Sequence, residues 1–83
     1  MKIVKITSLG CPSCIIMNKV FNKIKEKYDF EIEEYDYDFD NIKEFNCGNI
    51  MPVYIFYKDN KEKDRLCGEH SLEEFDSIVK KVM

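Results

Sequence analysis

The sequence predicts an α/β domain: a four-stranded mixed sheet flanked by helices, in the order βαβ, a short helix or loop, then ββα. Three observations predict it. Apolar residues recur at three- and four-residue spacing after Pro12, so a helix separates two β-type runs. Val53-Tyr54-Ile55-Phe56-Tyr57 is β-branched and aromatic throughout, the composition of a strand buried on both faces. Ser71-Leu72-Glu73-Glu74 is a capping box at the head of a last amphipathic helix.

Taken in order, Met1 to Thr7 sets Ile3, Val4 and Ile6 among lysines and is stopped by Ser8-Leu9-Gly10, which makes it the first strand. The helix that follows has Pro12 at its first position, where a missing N–H costs nothing, and lysines gather toward its negative end. Its apolar stripe is read as Ile16, Val20 and Ile24, with Met17, Phe21 and Tyr28 on a neighbouring line. The second strand is expected over 30–37. Its alternation changes phase between Ile32 and Tyr35, which predicts a bulge or an early end. Asn41 to Phe45 holds at most a short helix. Lys58-Asp59-Asn60-Lys61 reads as a hairpin turn, and Glu62 to Cys67 returns as an antiparallel edge strand closed by Gly68. Leu72, Phe75, Ile78, Val79 and Val82 line the inner face of the last helix.

With 83 residues, 45% hydrophobic and 35% charged, the chain has material for one core, so a single domain over 1–83 is expected. Sixteen acidic residues outnumber 13 basic ones and no basic block stands on aromatics, which excludes a strongly electrostatic nucleic-acid binder. No apolar run has the roughly 20 residues of a membrane span. The N-terminus lacks the apolar core and small-residue cleavage site of a signal peptide, so a cytoplasmic setting is expected. In that setting four cysteines imply reduced thiols, any disulfide being transient and catalytic.

Cys11-Pro12-Ser13-Cys14 stands where the first strand ends and the helix begins. There the Cys11 sulfur meets unpaired backbone N–H groups at the positive end of the helix dipole, which favours the thiolate. A second thiol one turn along can resolve a mixed disulfide. Cys11 is therefore expected to attack and Cys14 to resolve.

This arrangement resembles the thioredoxin and glutaredoxin superfamily over nearly all of the chain. The resemblance is carried by Cys11-Pro12-Ser13-Cys14, Asp36-Tyr37-Asp38, Met51-Pro52, Lys58-Asp59-Asn60-Lys61 and Gly68. It implies a thioredoxin fold and a cis Pro52 facing the active-site sulfurs. It further implies Met51 and Pro52 as the pair on which a substrate docks like an added strand, with Gly68 nearby. The implied activity is thiol-disulfide exchange on protein disulfides, with no bound cofactor beyond the Cys11–Cys14 couple, in a protein expected to be a monomer. Proline in the first intervening position and the compact length look more like a glutaredoxin than a thioredoxin. The Thr-Val-Pro and Gly-Gly-Asp of glutathione-using glutaredoxins are replaced here by Ile50-Met51-Pro52 and Cys67-Gly68-Glu69-His70. A flavin reductase of the thioredoxin-reductase type is accordingly expected as electron donor in preference to glutathione. The rivals are a glutathione-dependent glutaredoxin, a redoxin serving ribonucleotide reductase and, from another class, a metal or iron-sulfur carrier or a binding module.

Where thioredoxins bury an Asp before the first cysteine and a Lys on the next strand, this chain holds Lys5 and Glu34. One reading makes them a partly buried pair beneath Cys14, the cation favouring the Cys14 thiolate and Glu34 relaying its proton; the other leaves both in solvent. Cys47 and Cys67 read as small core hydrophobes, a secondary disulfide being the sharper alternative for Cys67. A four-cysteine metal site would need a second close pair, which their separation denies. His70, the acids between Glu31 and Asp40 and the lysines between Lys19 and Lys27 read as solvated surface.

Overall fold

The computed structural model describes residues 1–83. The elements are β1 (Lys2–Thr7), α1 (Pro12–Lys27), β2 (Glu31–Asp36), a 3-10 turn (Lys43–Phe45), β3 (Val53–Lys58), β4 (Lys61–Cys67) and α2 (Leu72–Val82). The sheet order is β2-β1-β3-β4, with β1 and β2 parallel and the other pairs antiparallel. This is the mixed four-stranded sheet with helices that the sequence predicts.

Pleating divides each inner strand between two layers. Ile3 of β1 and Tyr54 and Phe56 of β3 face Met17, Phe21 and Ile24 of α1 and Phe75, Val79 and Val82 of α2. Val4, Ile6, Val53 and Ile55 face the other way and pack with Met51 and Cys14, under Tyr35, Ile42, Phe45 and Cys47. Both α-helices thus cover one face of the sheet, while the segment between β2 and β3, with its single 3-10 turn, covers the other. Phe75 ties the helical layer together, its ring 5.0 Å from Tyr54, 5.3 Å from Phe56 and 5.9 Å from Phe21.

Local chemistry accounts for the boundaries. At α2, Ser71 Oγ accepts from the Glu74 N–H while the Glu74 carboxylate accepts from the Ser71 N–H, completing the capping box. The β3–β4 turn has both central residues in the left-handed region, Asp59 at φ 55° and Asn60 at 63°, the two-residue geometry that matches sheet twist.

Several details depart from the sequence reading. β2 spans Glu31–Asp36 and not 30–37; it has no bulge, since its register with β1 is unbroken, and the phase change puts Ile32 and Tyr35 on opposite faces of an edge strand, with Ile32 left exposed. The ladder irregularity lies instead between Phe56 and Tyr57. The inner stripe of α1 runs through Cys14, Met17, Phe21 and Ile24, and Ile16 is exposed because the helix is rotated to bring Cys14 inward. Cys67 is exposed and not a core residue, because it follows the buried Leu66 and the pleat turns it to the face that is only partly covered.

Phe75→Ala removes the ring shared by three aromatic neighbours and is expected to cost about 3 to 5 kcal/mol, seen as a lower midpoint in urea unfolding.

Candidate active site

Gly10, at φ 67°, turns the chain from β1 into α1, and Cys11 takes the N-cap position with extended backbone (φ −88°, ψ 108°). A cysteine therefore stands where Ser, Thr or Asp is usual, and its sulfur receives the orphan N–H of Cys14 at 3.2 Å. Two contacts hold this turn from outside. The Leu9 N–H donates to Asp38 Oδ2 at 3.0 Å, and the Ser13 hydroxyl donates to Glu69 Oε1 at 2.9 Å.

The two thiols occupy opposite environments. Partial burial disfavours the Cys11 thiolate, but hydrogen bonds from the Cys14 thiol and backbone, the Ser8 hydroxyl and the Ser13 backbone together outweigh it, so the Cys11 pKa is lowered. Cys14 is buried, and desolvation first, then its hydrogen bond to Cys11, pushes its pKa up to about 11. The Ser8 backbone and the Lys5 charge act in the opposite direction. A thiol that ionises more readily and one that holds its proton thus sit side by side.

The Met51–Pro52 peptide is cis, and the Cys11 thiol lies 3.9 Å from the Met51 carbonyl oxygen. Gly68 closes the far side. Its N–H donates to the Pro52 carbonyl at 2.9 Å, its φ is 81°, and a Cβ there would stand 3.2 Å from Ile50 Cγ2. Met51, Pro52 and Gly68 are therefore gathered beside the cysteines. Leu9, Ile15 and Ile50, each within two residues of these in the chain, are exposed apolar side chains.

Lys5 and Glu34 are register partners on β1 and β2, and their charged atoms are 4.0 Å apart. The Lys5 side chain is 14% exposed and Glu34 65%, so the pair is neither buried together nor free in solvent. Burial first, then Lys25, lowers the Lys5 pKa, against the pull of Glu34 and Cys14. Lys5, Glu34, Cys11 and Cys14 line one pocket of about 350 Å3.

The remaining candidates lie elsewhere. Cys47 is half-buried in the layer without helices, and burial raises its pKa. The four cysteines form no common cluster, and no three His, Cys, Asp or Glu side chains are gathered as a metal site. His70 belongs to the surface, its ring between Glu74 and the Cys67 carbonyl. Sequence reasoning missed Ser8 and Glu69, which touch the site through loop geometry. It also missed Tyr54, read only as a strand residue.

No protein-family model matches the chain. Among solved structures it is similar to a thioredoxin from Nicotiana alata, 27% identical over 98% of this chain and 71% of that one, with a TM-score of 0.83. A thioredoxin from Fasciola hepatica is 25% identical over 99% of this chain and 80% of that one, at 0.81. The reduced thioredoxin pre-protein from Schistosoma mansoni is 23% identical over 99% and 78%, at 0.85. The fold is the thioredoxin fold, and the likenesses at 25% and 27% identity support the thioredoxin-like superfamily.

Because a lowered pKa releases the thiolate at lower pH and a raised one withholds it, iodoacetamide is expected to modify Cys11 at lower pH than an ordinary thiol and Cys14 only as the pH nears 11. Peptide mass mapping across a pH series checks the order.

Proposed function

We propose that this protein is a thiol-disulfide oxidoreductase that reduces protein disulfides through a Cys11–Cys14 cycle. The observation that carries the reading is the pairing of a Cys11 sulfur held by the Cys14 N–H, with a lowered pKa, against a buried Cys14 whose pKa is raised. The Cys11 thiolate attacks one sulfur of the substrate disulfide; that S–S bond breaks, a mixed disulfide forms, and the leaving sulfur takes a proton. Cys14 then attacks the Cys11 sulfur, and its proton goes to the second departing thiolate. One substrate disulfide is reduced and one Cys11–Cys14 disulfide is formed.

Docking is assigned to Met51 and Pro52, whose backbone beside Cys11 suits an extended peptide added as a strand, with Gly68 leaving room at the far side. The exposed Leu9, Ile15 and Ile50 favour a protein segment as substrate. Lys5 favours the Cys14 thiolate by its charge, and Glu34, at the solvent end of the pair, relays the proton. The reading includes a thioredoxin-reductase-type donor, a monomer formed by one domain over 1–83, a cytoplasmic setting and no further cofactor. The structure has no helix long and apolar enough to cross a membrane.

Reduction of a model protein disulfide, coupled either to a flavin thioredoxin reductase or to glutathione and its reductase, tests both activity and donor. Turnover with the first and not the second is expected; turnover only with glutathione moves the protein to the glutaredoxin reading, and none with either removes the proposal. Cys11→Ser is expected to abolish turnover, whereas Cys14→Ser accumulates the mixed disulfide, visible by mass. Lys5→Met removes the cation and is expected to raise the Cys14 pKa further and slow resolution, with an unchanged pH profile removing the role given to Lys5.

A further inference from the structure

The Tyr54 hydroxyl is the buried side-chain polar atom that has no hydrogen-bond partner. The residue is fully buried, its ring 5.2 Å from Phe21 and 5.0 Å from Phe75. A phenylalanine would fill the same space without taking an oxygen out of water, so the hydroxyl calls for a use.

Its place in the sheet indicates one. The registers of β2 with β1 and of β1 with β3 align Glu34, Lys5 and Tyr54 in a single row. Along that row an exposed carboxylate gives way to a mostly buried ammonium and then to a fully buried phenol. The row lies under α1, because Phe21 packs against Tyr54 and the Lys5 Nζ stands 5.1 Å over the Phe21 ring. Cys14 comes from the same inner stripe of α1, two turns before Phe21, and shares a pocket with Lys5 and Glu34.

The charged and titratable groups around this row are few. β1 supplies Lys5, β2 supplies Glu34, and α1 with its N-cap supplies Cys11, Cys14 and Lys25. α2 presents Phe75 to the phenol ring and β4 pairs Leu66 with it, both uncharged. Burial first, then the negative charge of Cys14, Glu34 and Cys11, raises the Tyr54 pKa, so the phenol stays a neutral O–H donor. In the resting dithiol no hydrogen bond joins it to Cys14. There the Cys14 thiol is engaged with Cys11 and carries its own proton.

We infer that Tyr54 is a positioning residue for Cys14: from its register place opposite Lys5, its buried hydroxyl donates a hydrogen bond to the Cys14 thiolate as that thiolate forms to attack the Cys11 sulfur. The inference rests on the dithiol cycle proposed above. The Cys14 proton leaves to the departing substrate sulfur, and Tyr54 keeps its own proton throughout.

Tyr54→Phe tests this. At a fixed pH below the Cys14 midpoint, alkylation of Cys14 in the reduced variant is expected to slow about tenfold, a rise of about one pKa unit, while Cys11 alkylation is unchanged. A Cys14 rate equal to that of the native protein, above all with a higher melting temperature, overturns the inference and leaves the phenol as core filling. A second readout needs no variant at Tyr54. In the native protein the Tyr54 ring-carbon resonance is expected to shift at the Cys14 midpoint and to lose that step in Cys14→Ala; a resonance that does not move through the midpoint overturns the inference. Both measurements are made on the free dithiol. Failure to reduce protein disulfides would therefore overturn the proposed function and leave these two outcomes intact.

Discussion

The antiparallel pairing of β1 with β3 is the constraint on which the rest of the geometry hangs. It sets Ile6 opposite Val53 and Lys5 opposite Tyr54, so the end of β1 that leads into Cys11 lies beside the start of β3, just after the Met51–Pro52 turn. A slip of one residue would exchange the two faces of β3, send Tyr54 and Phe56 into the thin layer and part the sulfurs from the Met51 carbonyl. The pattern of the two strands prevents that slip. Ile3, Val4 and Ile6 are the buried residues of β1, with Lys5 half-buried between them, and the large aromatics Tyr54 and Phe56 of β3 pack beneath the two helices.

The thiol asymmetry follows from this placement without any charged partner in direct contact. Cys11 lies at the mouth of the helix, where backbone donors converge, and Cys14 lies one turn deeper, where burial dominates. Desolvation acts on both sulfurs; at Cys11 the converging donors outweigh it, and at Cys14 it prevails. The Lys5 charge modifies this balance at Cys14 from below, and its burial is relieved by the Phe21 ring face and the Glu34 carboxylate.

Much of the fold was legible in the sequence because the decisive signals are local. The Val53–Tyr57 run, the Ser71–Glu74 capping box and the Asp59-Asn60 turn each specify their element within a few residues. The Cys11–Cys14 pair at a strand-to-helix junction was equally local. The rotation of α1 was not, because Ile16 and Met17 are adjacent apolar residues and only packing on β1 and β3 decides between them. The exposure of Cys67 depends on how far the segment between β2 and β3 reaches over the edge strand, which no short-range pattern encodes. The Tyr54 hydroxyl escaped for a related reason: in a run of apolar residues a tyrosine reads as one more large ring, and its isolation becomes visible only once the neighbours are in place.

The two faces of the sheet are covered unequally, and Cys14, though carried by the first turn of α1, packs against residues of the thinner layer, Val4, Ile6, Met51, Val53 and Ile55. Arg65 of β4 helps fasten that cover, its guanidinium donating to the Phe45 carbonyl at 3.0 Å. Folding and thiol oxidation therefore form one thermodynamic cycle through this layer. Packing free energy that the layer gains in the dithiol form and loses in the disulfide form must reappear, joule for joule, in the redox equilibrium, about 30 mV for each 1.4 kcal/mol. The cover between β2 and β3, remote from the sulfurs in sequence, is in that sense part of the electrode.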